Sequence, residues 1–257
     1  MRELETAGCR PGDLKLIIIT HGHLDHNGAC ASFHADTLNF ASGLHLIDMI
    51  LDAVERWVGV VGLAAVLVAL SAIFWGLAGG LRRPARRTEG PARNVYTAAY
   101  YVVASVLYFG ACLLLWRPVP LTLSAQARTL ALVVGGVLFF PGVGLVLWGR
   151  LALGRMYNVS SGLGVQLYEE QRLVSDGPYA HVRHPMYLGL LLVALGGILI
   201  YRNWTFVFFL GNFPGVANRA RLEERALAEA FGDEWEEYRR MVPGWIPRLS
   251  RPREYEE

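Results

Sequence analysis

The sequence predicts an all-α integral membrane protein of about five transmembrane helices, the last two forming a short helical hairpin. Three observations predict it. First, of 257 residues 53% are hydrophobic and only 18% charged, against roughly 25% charged in a typical soluble domain. Second, long stretches carry no charge: 25 residues between Arg56 and Arg82, 23 between Arg93 and Arg117, and 21 between Arg128 and Arg150. As helices rising about 1.5 Å per residue, each crosses a hydrocarbon layer about 30 Å thick. Third, the arginines alternate along the chain. There are five in 82–93, two in 117–128, four in 150–183, one at Arg202 and eight from Arg219 onward. Basic loops stay on the cytoplasmic side, so the C-terminus is predicted in the cytoplasm and the N-terminus outside.

The net charge of +2 hides two unlike parts. Residues 1–56 hold four basic and eight acidic side chains, and residues 57–257 hold twenty and fourteen. The high apolar content excludes intrinsic disorder. The arginines lie between apolar runs rather than on one polar domain, which argues against a nucleic-acid binder. Cys9, Cys30 and Cys112 have neither zinc-finger nor redox spacing. No signal peptide is expected, because the first apolar run is short and follows acidic residues.

The first element expected is a buried strand, Leu14 to Ile19, followed by Thr20-His21-Gly22-His23-Leu24-Asp25-His26. Imidazoles two residues apart can splay around one metal, and Asp25 and His26 can serve a second. His21, His23, Asp25 and His26 are therefore candidate metal ligands. This strand and loop resemble the metal loop of the metallo-β-lactamase fold. That fold needs further ligands, yet after His34 and His45 no histidine follows until His181. Residues 1–48 thus read as a truncated, non-catalytic fragment in which zinc is not expected. Met49 would serve as an alternative start for a unit over 49–257. Residues 34–55 place apolar side chains at Leu44, Ile47, Ile50, Leu51 and Val54, a helical spacing. An amphipathic helix running into the first span is expected there.

The spans are predicted at about 57–81, 94–116, 129–149, 185–201 and 203–218. Trp57, Trp75, Trp116, Trp148 and Trp204 stand near their ends, as interface aromatics do. The last two spans are short and nearly contiguous, which predicts a tight hairpin. Gly211-Asn212-Phe213-Pro214-Gly215 should break or kink the second arm.

Two polar stretches flank this hairpin. Arg183 and His184 precede Pro185, which suits the first turn of a helix. Such a helix start presents free N–H groups and a positive dipole end to an anion. Past the second arm, Arg219 and Glu223 are four apart on one helical face, with Glu224 one position further round. A hairpin returns both stretches to one membrane surface, bringing an arginine–histidine site to face a carboxylate.

Gly177-Pro178-Tyr179, then Arg183-His184-Pro185-Met186-Tyr187-Leu188-Gly189, then Glu223-Glu224, then Phe231-Gly232 with Trp235 and Tyr238, resemble the isoprenylcysteine carboxyl methyltransferase family. This integral-membrane group also includes the phospholipid methyltransferases. The resemblance covers about residues 50–249. It implies S-adenosylmethionine as cofactor, held by Gln171, Arg172, Leu173, Val174 and Tyr179, by Arg183, His184, Pro185, Met186 and Tyr187, and by Glu223 at its polar end. It implies Arg219 beside the methyl acceptor. A carboxylate acceptor needs no general base, whereas an amine would need one, with Glu224 or Tyr187 as candidates. The implied partner is a lipid-like or prenylated substrate from a bacterial cytoplasmic membrane. Phospholipid amine N-methylation, and reduction by a steroid-reductase-like enzyme with a nicotinamide cofactor, are the alternatives. A zinc hydrolase built on His21 to His26 is the least supported.

Overall fold

The computed structural model describes residues 28–83, 85–89, 98–157, 159–161 and 164–247. The chain divides into two compact units, 1–49 and 50–257. The expected strand at 14–19 and the histidine loop at 20–26 lie outside the described residues. The second unit carries the cavity and its polar motifs.

Helix α1 (Gly28–Gly80) takes in the amphipathic segment expected before the first span. Its apolar part, Leu46–Gly80, is long and apolar enough to cross a membrane, as is Ala125–Met156. The latter comprises α3 (Ala125–Leu153) and a single 3-10 turn at Gly154–Met156. Two shorter apolar helices accompany them, α2 (Ala98–Leu114) and α4 (Pro185–Tyr201). All five tryptophans at the predicted span ends are exposed, together with Val102, Val106, Leu130 and Val137 on the helix faces. Apolar surface of this extent suits lipid rather than water, and the mostly helical fold fits an all-α membrane protein.

The core lies between α3 and α4. Phe139, Val143 and Val146 pack with Met186, Val193 and Ile200. Glycines set how closely these helices approach. A Cβ on Gly196 would stand 2.6 Å from both Gly135 O and Phe139 N, and one on Gly189 would stand 2.6 Å from Gly142 O. Small residues are the usual means of close helix approach in lipid.

The far end of α4 is tied by charge. Arg202 adopts a left-handed conformation (φ 46°) at the helix end. Its guanidinium donates to both Glu55 oxygens at 2.8 and 3.1 Å, and Arg128 donates to the same carboxylate at 2.9 and 3.2 Å. Arg128 also pairs with Asp52. One carboxylate on α1 therefore joins the start of α3 to the end of α4.

The stretch 203–218 is not a single span. Asn203 caps α5 (Trp204–Gly211) by accepting from Phe206 N at 3.3 Å. The chain breaks at Asn212 and restarts as α6 (Phe213–Phe231), with Pro214 in its first turn. The Gly-Asn-Phe-Pro-Gly segment thus places the break in the middle of the arm. Helix α6 then runs without interruption through Arg219 and Glu224.

The all-α expectation also needs amending. Strands β1 (Ala85–Glu89), β2 (Val159–Ser161) and β3 (Gly164–Tyr168) form a small antiparallel sheet in the order β1-β3-β2. Val165 and Leu167 on its inner face are buried against Ala226 and Leu222 of α6. Gly232 (φ 55°) turns the chain from α6 into α7 (Asp233–Met241), where only glycine takes this conformation without cost. Trp235, Tyr238 and Val242 pack there against Leu173 and Leu227.

The packing of α3 on α4 predicts a position-dependent response to added volume. Gly196→Leu, where a Cβ already meets backbone, should lower the thermal midpoint of the detergent-solubilised protein by an amount equivalent to about 1–3 kcal/mol. Gly136→Ala, whose Cβ meets nothing within 4 Å, should leave the midpoint unchanged or raise it.

Candidate active site

The start of α4 is fixed before its side chains act. Arg183 N donates to Pro243 O at 2.8 Å and His184 N to Gly244 O at 3.1 Å. The chain after α7 thus pairs with the residues that enter the helix. The Arg183 guanidinium reinforces this by donating to Val242 O at 2.7 Å and Arg239 O at 3.1 Å. The helix begins at Pro185, so its first-turn N–H groups have no intrahelical acceptor and its positive dipole end lies at the motif.

Two acidic residues from α6 meet this motif in different ways. Glu224 Oε1 lies 2.8 Å from His184 Nε2, 3.1 Å from Arg183 Nε and 3.0 Å from the second Arg183 nitrogen. Burial opposes ionisation of Glu224, but the His184 and Arg183 contacts outweigh it and hold the carboxyl below its ordinary range. Glu223 turns the other way. Its Oε1 accepts from the Tyr187 hydroxyl at 2.6 Å and from Arg219 Nε at 3.4 Å. The Arg219 guanidinium lies 5.4 Å from the Tyr187 ring centre, within cation–π range.

Arg183, His184, Tyr187, Arg219 and Glu223 form one wall of a cavity of about 730 Å³, within the size range of small-molecule sites. Gln171, Arg172, Leu173, Val174, Tyr179, Arg183, His184, Met186, Tyr187, Arg219 and Glu223 all line it. The sequence-predicted set is therefore brought together, with two exceptions. Pro185 is fully buried and lines no part of the cavity. Glu224 sits behind Arg183 and His184 and is likewise absent from the lining. A proton-accepting role for Glu224 has no geometric support, because its carboxylate orients the two basic residues instead. The other wall is apolar and comes from α1, α2 and α5, including Leu67, Leu70, Phe109, Leu113 and Phe209.

Gln171 anchors the loop before the motif by donating from Nε2 to Met156 O at 2.9 Å. Its Oε1 is buried without a hydrogen-bond partner, an acceptor available to a bound donor. Tyr238 donates to Tyr179 O at 2.8 Å. Burial pushes both phenols up from their ordinary values, so both remain protonated at neutral pH.

The sequence reading missed several contributors. Trp245 stacks near His184 (5.4 Å) and Tyr187 (6.2 Å), and the only hint of it was the Pro243-Gly244-Trp245 turn after α7. Tyr157 lines the cavity beneath Arg150, whose guanidinium lies 4.7 Å from its ring and donates to Ala72 O and Gly154 O. Charge spacing treated Arg150 as the edge of a span, whereas it is buried. Among the described residues no group of three or more potential ligands could hold a metal ion.

The family model for phospholipid methyltransferases matches residues 130–234, from the second turn of α3 into α7 and across both motifs. Through this region the chain is similar to the phospholipid methyltransferase family. Among curated relatives, a protein-S-isoprenylcysteine O-methyltransferase of Schizosaccharomyces pombe is 41% identical over 83 residues, 32% of this chain and 35% of the relative. A methanethiol S-methyltransferase of Pseudomonas deceptionensis is 26% identical over 166 residues, 60% of each chain. Protein-S-isoprenylcysteine O-methyltransferase B of Arabidopsis thaliana is 26% identical over 135 residues, 46% of this chain and 68% of the relative. The chain thus spans about a third of the first relative and three fifths of the second. The matched region includes Arg183, His184, Arg219, Glu223 and Glu224, while Tyr238 and Trp245 lie just past its end.

The lowered Glu224 carboxyl predicts a pH effect with a definite sign. A group whose folded value is depressed contributes stability at neutral pH and loses it as pH falls through that folded value. The thermal midpoint should therefore decline on the acid side below the ordinary carboxylate range. Glu224→Gln should start lower at pH 7 and show a flatter acid limb.

Proposed function

We propose that the protein is an S-adenosylmethionine-dependent membrane methyltransferase that O-methylates a lipid-like carboxylate of the isoprenylcysteine type. One observation carries this reading: a single cavity has Arg219, Glu223, Tyr187 and His184 on one wall and an apolar wall from the membrane helices. A polar cofactor and an apolar acceptor can meet there without either leaving its own medium.

The residues fit the cofactor. Glu223 provides a carboxylate for an ammonium group, the partnerless Gln171 Oε1 accepts from an amine, and Tyr179 and Tyr187 supply aromatic surface. Bound there, S-adenosylmethionine would supply a methyl group on a sulfonium and leave as a neutral thioether, so an ionised carboxylate acceptor needs no proton removed. Arg219 would hold the acceptor carboxylate, and its contact with Glu223 spreads its charge so that the pair does not blunt the nucleophile. Arg183 and Glu224 act as positioning residues for His184. Most of the rate advantage would come from alignment.

The apolar wall also supports a larger acceptor than the thiol named for the Pseudomonas deceptionensis relative. Amine methylation is the second reading, supported by the Tyr187–Glu223 hydrogen bond at the cavity, which offers a proton acceptor where Glu224 does not. We place the protein in a bacterial cytoplasmic membrane with the motifs and the C-terminus on the cytoplasmic side.

Calorimetry on the purified full chain tests the cofactor site. S-adenosylmethionine should bind, and Glu223→Gln and His184→Ala should each weaken it tenfold or more, since a hydrogen bond to a charged group contributes about 1.5–3 kcal/mol. No binding, or binding unmoved by both variants, contradicts the assignment. Arg219→Leu should leave S-adenosylmethionine binding within a few-fold of the wild type and raise the acceptor KM at least tenfold.

A further inference from the structure

We propose that Trp116, Tyr201 and Phe206 form a floor that sets the longest apolar tail the acceptor can carry, an inference resting on the lipid-acceptor reading above. The cavity follows α4 from its first turn to its last residue. It is lined by Met186, Tyr187 and Leu190 near the motif and by Tyr201 at the other end. Tyr201 lies fourteen positions beyond Tyr187, a helical rise of about 21 Å.

The floor is built by close contacts. Tyr201 and Phe206 stack with ring centres 5.0 Å apart, and Trp116 lies 5.7 Å from Tyr201 and 6.5 Å from Phe206. The Tyr201 hydroxyl donates to Gly59 O at 2.7 Å. Glycines leave room for two of the rings: a Cβ on Gly62 would stand 2.5 Å from the Tyr201 oxygen, and one on Gly197 would overlap the Phe206 ring.

A second cavity of about 470 Å³ lies on the other side of this floor. Trp116, Tyr201 and Leu63 line both cavities, and Asp52, Glu55 and Arg56 line only the second. A tail passing the floor would leave apolar walls and press against the Glu55 ion cluster, displacing polar contacts without replacing them. Leu63, Leu67 and Leu113 line the first cavity yet remain largely exposed on the helix surface. The tail can therefore enter from the side, between α1 and α2, and the floor stops it lengthwise.

The test uses the full chain in nanodiscs and N-acetylcysteine carboxylates bearing S-alkyl tails of increasing length. In the wild type, kcat/KM should rise with tail length and fall sharply past a cut-off. Phe206→Ala and Trp116→Ala should raise the ratio of kcat/KM for the first excluded tail over the preferred one by tenfold or more. Leu63→Phe, which adds volume at the floor, should move the cut-off to shorter tails. A cut-off that stays in place in Leu63→Phe and in both alanine variants overturns the proposal. A second readout is independent of turnover. Cys112 lines the cavity, and its backbone oxygen accepts from Thr205 beside the floor. In a Cys9→Ser, Cys30→Ser background, the same acceptors should protect Cys112 from a lipophilic thiol reagent with the same length cut-off, moved by Phe206→Ala. Length-dependent protection without turnover would keep the floor and remove the methyl-transfer reading. Protection independent of tail length would remove the floor.

Discussion

The Glu224 carboxylate, shared between Arg183 and His184, is the contact on which the rest of the site depends. It joins the start of α4 to the middle of α6, two elements separated by the whole helical hairpin. A partly buried carboxylate with two basic partners is costly to disturb, because removing one partner leaves a charge with no compensation. The backbone on either side makes the same join. Arg183 and His184 donate their N–H groups to Pro243 and Gly244, so the C-terminal loop closes over the node from outside. Once α6 is held in this rotation, Glu223 must face away from Glu224, into the cavity.

That rotation explains how two adjacent acids divide their work. Neighbouring residues on a helix differ by about 100° in direction. One acid can therefore fix the basic pair while the next lines the cavity with Tyr187 and Arg219. The small sheet serves the same end, since Val165 and Leu167 support the buried face of α6 below Ala226. At the opposite end of α4, Glu55 collects Arg128 and Arg202 in a second ion cluster. The helix is thus fixed at both ends, and the apolar cavity runs between two charged boundaries.

Much of the bundle is legible in the spacing of charges, because a helix in lipid can carry few of them. The start of α4 at Pro185 and the shared face of Arg219 and Glu223 also follow from local rules. The broken second arm is legible in its Pro and Gly, yet the position of the break at Asn212 is not. What escapes is long-range. Nothing in Ala85–Glu89 marks it as a strand, since it is highly polar and pairs with residues some eighty positions away. Arg150 looks like a boundary charge until its carbonyl partners are seen. Glu55 looks like part of an acidic beginning, although it pairs with two arginines far along the chain. Telling that Glu223 rather than Glu224 faces the cavity needed the rotation of α6, which is set by tertiary contacts rather than by spacing.

The most direct measurement is the fate of a labelled methyl group. Membranes containing the protein are supplied with S-adenosylmethionine tritiated in its methyl group and with an S-alkylated N-acetylcysteine. The expected result is lipid-soluble tritium released as volatile methanol by mild base, the behaviour of a methyl ester, and abolished in Glu223→Gln. Base-stable label in phospholipid would assign the cavity to amine methylation, and no transfer to any lipid would contradict methyl transfer at this site.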